Sequence, residues 1–64
     1  MKQMTAYDYG HRRGLDSGDY DGCYGITYNG RSVHAASDDE HRGFTDGYKI
    51  GYAQGQADAM EYAA

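Results

Sequence analysis

Cys23, His11, His34 and His41 are the side chains of this chain best suited to hold a metal or to serve as nucleophile and base, and their spacing decides whether they do. None falls at the C-x₂₋₄-C or H-x₃₋₅-H separations of a zinc site, so no metal is expected. Cys23 with His34 would make a thiolate and imidazole pair, but no glycine-rich oxyanion signature and no orienting third residue accompany it. A calcium loop beginning at Ser17 places Asp19, Asp21 and Gly22 at its third, fifth and sixth positions. It fails at its first, which is Ser17, and at its twelfth, where the required bidentate Glu is Tyr28. Asp16–Gly22 reads instead as a solvated turn that ends a helix. With no nucleophile, metal or cofactor site, the expectation is a non-enzymatic protein.

The chemistry left is that of charge and of tyrosine. Ten Asp and Glu stand against six Lys and Arg, a net charge of −4, which disfavours a surface that coats phosphate and favours a basic protein partner. Six of the acids, Asp16, Asp19, Asp21, Asp38, Asp39 and Glu40, would share one pole if two helices ran antiparallel around the intervening segment. Such a cluster resembles the phosphate spacing of nucleic acid and competes for a basic groove, although acids are also ordinary in loops and in a first helical turn, and Arg12, Arg13 and Arg42 lie nearby. The eight tyrosines divide between core and contact. Tyr24, Tyr48 and Tyr52 are expected to be structural, and Tyr7, Tyr20 and Tyr62 to be contacts. The candidate partner-binding set is Asp16, Asp19, Asp21, Asp38, Asp39, Glu40 and Tyr20.

Helices must position these groups, because the ten glycines are not scattered. Gly10, Gly14, Gly18 and Gly22 form one register at spacing four, and Gly43, Gly47, Gly51 and Gly55 form another; that spacing is helical. His11–Gly18 also aligns with Glu40–Gly47 as a weak internal repeat. Ser37-Asp38-Asp39-Glu40 reads as a capping box, and Thr5-Ala6-Tyr7-Asp8 as a weaker one. The predicted order is a helix over about 5–18, a β-hairpin over about 23–34 turning at Asn29-Gly30, and a helix over about 38–62. The fold class is α+β, mostly α, with two antiparallel glycine-lined helices in one small domain, 1–64. In that arrangement Gly14 lies near Gly43 and Gly10 near Gly47, and the two grooves meet. Leu15, Ile26, Val33, Phe44 and Ile50 are the whole complement of Leu, Ile, Val and Phe. A core this thin leaves open a largely disordered chain, and it favours help from a partner or from a homodimer.

His11-x-Arg13-Gly14-x-x-x-Gly18, then Cys23 and Tyr24, then Phe44-x-x-Gly47-Tyr48 in a second helix, resembles the ribosome modulation factor family and its phage-borne relatives. The resemblance implies a two-helix protein that binds the small ribosomal subunit and promotes inactive ribosome dimers. The net charge points elsewhere, because affinity for RNA comes mostly from neutralising phosphates. The leading expectation is therefore a phage-encoded inhibitor, a DNA mimic of the anti-CRISPR or anti-defence kind, which occupies a basic nucleic-acid-binding surface of a host protein and binds no nucleic acid itself. The ribosome-binding reading is the alternative. No apolar run is long enough for a signal peptide or membrane span, and the lone Cys23 suits a reducing compartment, so a cytoplasmic location is expected.

Overall fold

Among the described residues of the computed structural model two helices account for the regular structure, α1 over Ala6–Cys23 and α2 over Asp38–Ala63. Residues 3–63 are described, with the side chains of Tyr62 and Ala63 outside the description. The contact role expected of Tyr62 falls on one of those side chains. Among the described residues no helix is long and apolar enough to cross a membrane.

Each helix begins where its capping residues dictate. At Thr5 the capping box is complete: Asp8 N–H donates to Thr5 Oγ1 (3.1 Å) and Thr5 N–H donates to Asp8 Oδ2 (3.4 Å). At the start of α2, Glu40 N–H donates to Ser37 Oγ (3.2 Å), while the Glu40 carboxylate accepts from Ala36 N–H (3.2 Å), one residue earlier than a regular box. The α2 bounds match the sequence expectation closely. Those of α1 do not, because the stretch Asp16–Gly22, expected as a turn, is helical through Cys23. The stop signal is Gly25, whose φ of 69° is a conformation that glycine adopts without steric cost. Ile26 N–H donates to Asp21 C=O (2.8 Å) and Gly25 N–H to Gly22 C=O (3.4 Å), the two bonds of a Schellman motif.

Two further expectations are overturned. No β-hairpin forms: residues 24–37 contain no strand, and the described residues make a two-helix, all-α structure. Asn29 uses its side chain to accept from Arg31 N–H (3.3 Å), a local bend that competes with strand pairing. The segment's backbone bonds go to α2 side chains instead. Asn29 N–H donates to the Tyr48 hydroxyl (3.2 Å), Tyr52 donates to Ile26 C=O (2.7 Å), and Thr45 donates to Gly30 C=O (2.9 Å). Residues 24–37 thus form a strap that runs back along α2 from its middle to its start.

The helices are also parallel, not antiparallel. Gly10 lies against the backbone of Glu40 and Phe44, Gly14 against Phe44 and Tyr48, Gly18 against Tyr48 and Tyr52, and Gly22 against Tyr52 and Gln56. The reciprocal contacts run the same way, from Gly43 against Tyr7 and His11 to Gly55 against Asp19 and Cys23. Gly10 therefore corresponds to Gly43 and Gly22 to Gly55 in a quasi-two-fold parallel pair, one helical turn away from the repeat that the sequence suggests. The long strap permits this, since it returns the chain to the starting end before α2 begins.

At all eight of these glycines an added Cβ would fall closer than 3.0 Å to a carbonyl oxygen of the other helix. Backbone meets backbone, with glycine Cα–H groups facing carbonyls in the manner of weak C–H···O bonds. Such an interface has no room for side chains, so the core is displaced to one face. There Phe44 and Tyr48 are the buried hydrophobic residues among those described, Tyr48 being 1 % exposed. Tyr28 from the strap meets Tyr48 and Tyr52 edge-on at 5.0 and 5.1 Å between ring centres. The Tyr48 hydroxyl, which donates to Asp21 of α1, ties both helices to the strap. The resulting slab measures 40 × 27 × 13 Å, about one helix thick.

Candidate protein-binding site

Parallel packing redistributes the acids. Asp38, Asp39 and Glu40 occupy the first turn of α2, at the end where α1 also begins. Asp16, Asp19 and Asp21 lie toward the other end, where α1 stops beside Gly55. The six-acid pole expected from an antiparallel pair is therefore not assembled. Glu40 is half-buried and faces Arg13 (3.8 Å), so part of the first-turn charge is neutralised in place.

A different acidic end takes its place. α2 continues about two turns beyond the end of α1, carrying Asp58 and Glu61, which are exposed and join Asp16, Asp19 and Asp21 in the same half of the slab. Among the described residues Lys49 is the one cation level with that group; Arg12, Arg13, Arg31 and Arg42 lie in the other half. Neither helix has a basic residue in its last turn. Because the helices are parallel, both carboxyl termini point to this end, and each contributes a partial negative charge of about half an electron. The net charge of −4 is thereby polarised along the long axis.

Tyr20 and Tyr24 stand on this acidic half. They are 59 % and 70 % exposed, and their rings pack on each other at 4.7 Å, one turn apart near the end of α1. Tyr24, expected to be structural, is at the surface because it is the C-cap residue of α1, beyond the helix contact. Tyr48 and Tyr52 are packed as expected, while Tyr7 spends its hydroxyl on Asp46 (2.6 Å). That bond raises the Tyr7 pKa first and desolvation raises it further; at Tyr48, burial is the main cause of a raised pKa and the Asp21 hydrogen bond the second. Sequence reasoning missed Asp58 and Glu61 as partners of Asp16, Asp19 and Asp21. The signal that could have found them is the strap, long enough to return the chain and make the helices parallel.

Among the described residues no three His, Cys, Asp or Glu side chains are grouped to hold a metal ion. Cys23 is exposed and unpaired in a disulfide. No protein-family model, no curated protein and no solved structure matches this chain.

Proposed function

We propose that this chain is a small non-enzymatic binding protein, a phage-encoded inhibitor that occupies a basic nucleic-acid-binding surface of a host protein through the acidic end of the slab. The observation that carries the reading is the convergence there of two helix carboxyl termini with Asp16, Asp19, Asp21, Asp58 and Glu61. A field of that form attracts a basic groove and speeds association. The exposed Tyr20 and Tyr24 pair beside it supplies rigid contact area with polar tips, the kind of residue that dominates binding energy once water is excluded. Asp38, Asp39 and Glu40 take a smaller part than the sequence suggests, being at the opposite end and partly paired with Arg13.

The test is capture of host proteins on the immobilised chain, followed by elution with duplex DNA and by salt titration. A basic nucleic-acid-binding protein released by DNA, and lost at least tenfold between about 50 and 200 mM salt, supports the proposal. A captured partner that DNA does not displace, or affinity insensitive to salt, refutes it. The second reading, binding to the small ribosomal subunit, is favoured by the grouping of exposed Arg12, Arg31 and Arg42 in the other half. Recovery of ribosomal subunits in the same experiment would replace the first reading with the second.

A further inference from the structure

The outer edge of α1 carries side chains that the helix contact does not use. Gly10, Gly14, Gly18 and Gly22 face α2, so residues two positions further on point about 200° away from it. Those positions hold Arg12, Asp16, Tyr20 and Tyr24, one stripe at spacing four and exposed throughout. Tyr24 keeps the register because its N–H donates to Tyr20 C=O (3.1 Å), one turn back. The Tyr20 and Tyr24 rings pack together with a tilt of 45° and leave most of their surface open to water. Among the described residues the one ion pair is Arg13 with Glu40, so Asp16 is unpaired although Arg12 stands one turn before it.

We infer that Asp16, Tyr20 and Tyr24 form a seat for one arginine side chain of the protein partner. The inference rests on the proposed binding to a basic surface and names the residue that the acidic end receives. The exposed ring pair, and not the charge alone, selects it. An apolar group would suit the rings, but it would strip water from Asp16 and Asp19 with no countercharge in return. A lysine ammonium would suit the carboxylates, yet it is a compact, strongly hydrated charge that gives up more water to lie on a ring. A guanidinium meets both demands, because it is planar and weakly hydrated, stacks on aromatic faces and aims its N–H donors at a carboxylate.

The spacing fits such a ligand. Side chains one turn apart on a helix stand about 5–6 Å apart at Cβ, which sets the Asp16 carboxylate beside the Tyr20 ring. The carboxyl terminus of α1 adds its partial negative charge at the same place. The protein also makes this kind of contact once within itself: Arg13 lies over the Tyr9 ring at 5.7 Å, again one turn apart on α1. Among the described residues no arginine of the chain occupies the Tyr20 and Tyr24 pair in the same way.

Titration with an octaarginine and an octalysine peptide of equal charge tests this, by calorimetry at about 150 mM salt, where the Debye length is about 8 Å. The arginine peptide is expected to bind about fivefold more tightly. Tyr20→Leu combined with Tyr24→Leu should bring the two peptides within about twofold of each other while leaving the octalysine affinity nearly unchanged. Asp16→Asn should weaken the arginine peptide, with circular dichroism confirming retained helix in each variant. Proton spectra of the parent give a measurement that needs no variant: the arginine δ-methylene protons should move upfield and show Overhauser contacts to the Tyr20 and Tyr24 rings. Equal affinity for the two peptides overturns the arginine seat and leaves the acidic end as a binding surface. So does an arginine preference that survives in the folded double variant, or a bound arginine peptide without contacts to these rings. Binding of neither peptide overturns the seat and the proposed function together.

Discussion

Replacing Gly47 with alanine isolates the backbone contact that organises this fold. On intrinsic propensity alone the change should stabilise α2 by about 1 kcal/mol, since glycine is the poorest helix former after proline. The structure reverses the sign. The new Cβ would meet His11 C=O closer than 3.0 Å, with the carbonyl carbon at 2.9 Å and Leu15 N at 3.0 Å. All three are backbone atoms within a helix, so no side chain can rotate away. The helices must separate by on the order of 1 Å, which loosens the contacts of the neighbouring glycines too, and overpacking of this type costs about 1–3 kcal/mol or more. A clash with backbone belongs at the upper end of that range, about 2–3 kcal/mol, so the expected net loss after the propensity gain is about 1–2 kcal/mol, or a melting temperature lower by roughly 5–15 °C for a chain this small. Thermal circular dichroism of Gly47→Ala beside Gly30→Ala reads the difference. At Gly30 the nearest atom to an added Cβ is the movable Tyr28 hydroxyl at 3.5 Å, so little change is expected there. A Gly47→Ala protein that melts at or above the parent would refute a glycine-mediated contact and leave helix propensity in control.

Other perturbations reach the rest of the account. Reversing charge at Asp16, Asp19, Asp58 and Glu61 should weaken binding of the captured partner far more than reversal at Asp38, Asp39 and Glu40, with melts run in parallel because first-turn acids stabilise α2 through its dipole; affinity titrations in which the second set loses as much would contradict the polarised field. Tyr48→Phe removes a hydroxyl that bonds both Asp21 and Asn29 N–H and should cost about 1–3 kcal/mol in chemical denaturation. The raised Tyr48 pKa means that the folded state keeps its proton where the unfolded chain loses it, so stability from this group is complete below about pH 10 and falls as pH rises through the folded value. Alkaline unfolding curves should therefore be shallower for Tyr48→Phe than for the parent. Gly25→Ala should destabilise by roughly 1 kcal/mol, since the left-handed conformation that closes α1 suits glycine alone, and an unchanged melt would argue against that cap.

How the sequence conveyed the fold differs from one feature to the next. Thr5 with Asp8 and Ser37 with Glu40 announced both helix starts because capping is local chemistry. The glycine registers announced that two helices meet through their backbones, because a period of four with no side chain has few other uses. Direction was not legible. A glycine row is symmetric with respect to reversal, so Gly14 opposite Gly43 in an antiparallel pair and Gly10 corresponding to Gly43 in a parallel one fit the spacing equally well. Asn29-Gly30 carried a hairpin signal that tertiary context overrode, since Tyr48, Tyr52 and Thr45 offered the strap's backbone better partners than a second strand. The candidate site inherited the error of direction: Asp16, Asp19 and Asp21 were legible as a group of acids, but the acids that share their half of the slab are Asp58 and Glu61 and not Asp38 and Asp39.

The parallel, backbone-to-backbone pairing underlies both the acidic end and the displaced core. Nuclear Overhauser contacts of the glycine α protons in the labelled protein test it most directly. Gly22 is expected to show contacts to Tyr52 and Gln56, and Gly43 to Tyr7 and His11. Contacts from Gly10 to Gly47, with none between Gly22 and Tyr52, would mean antiparallel helices and contradict the account.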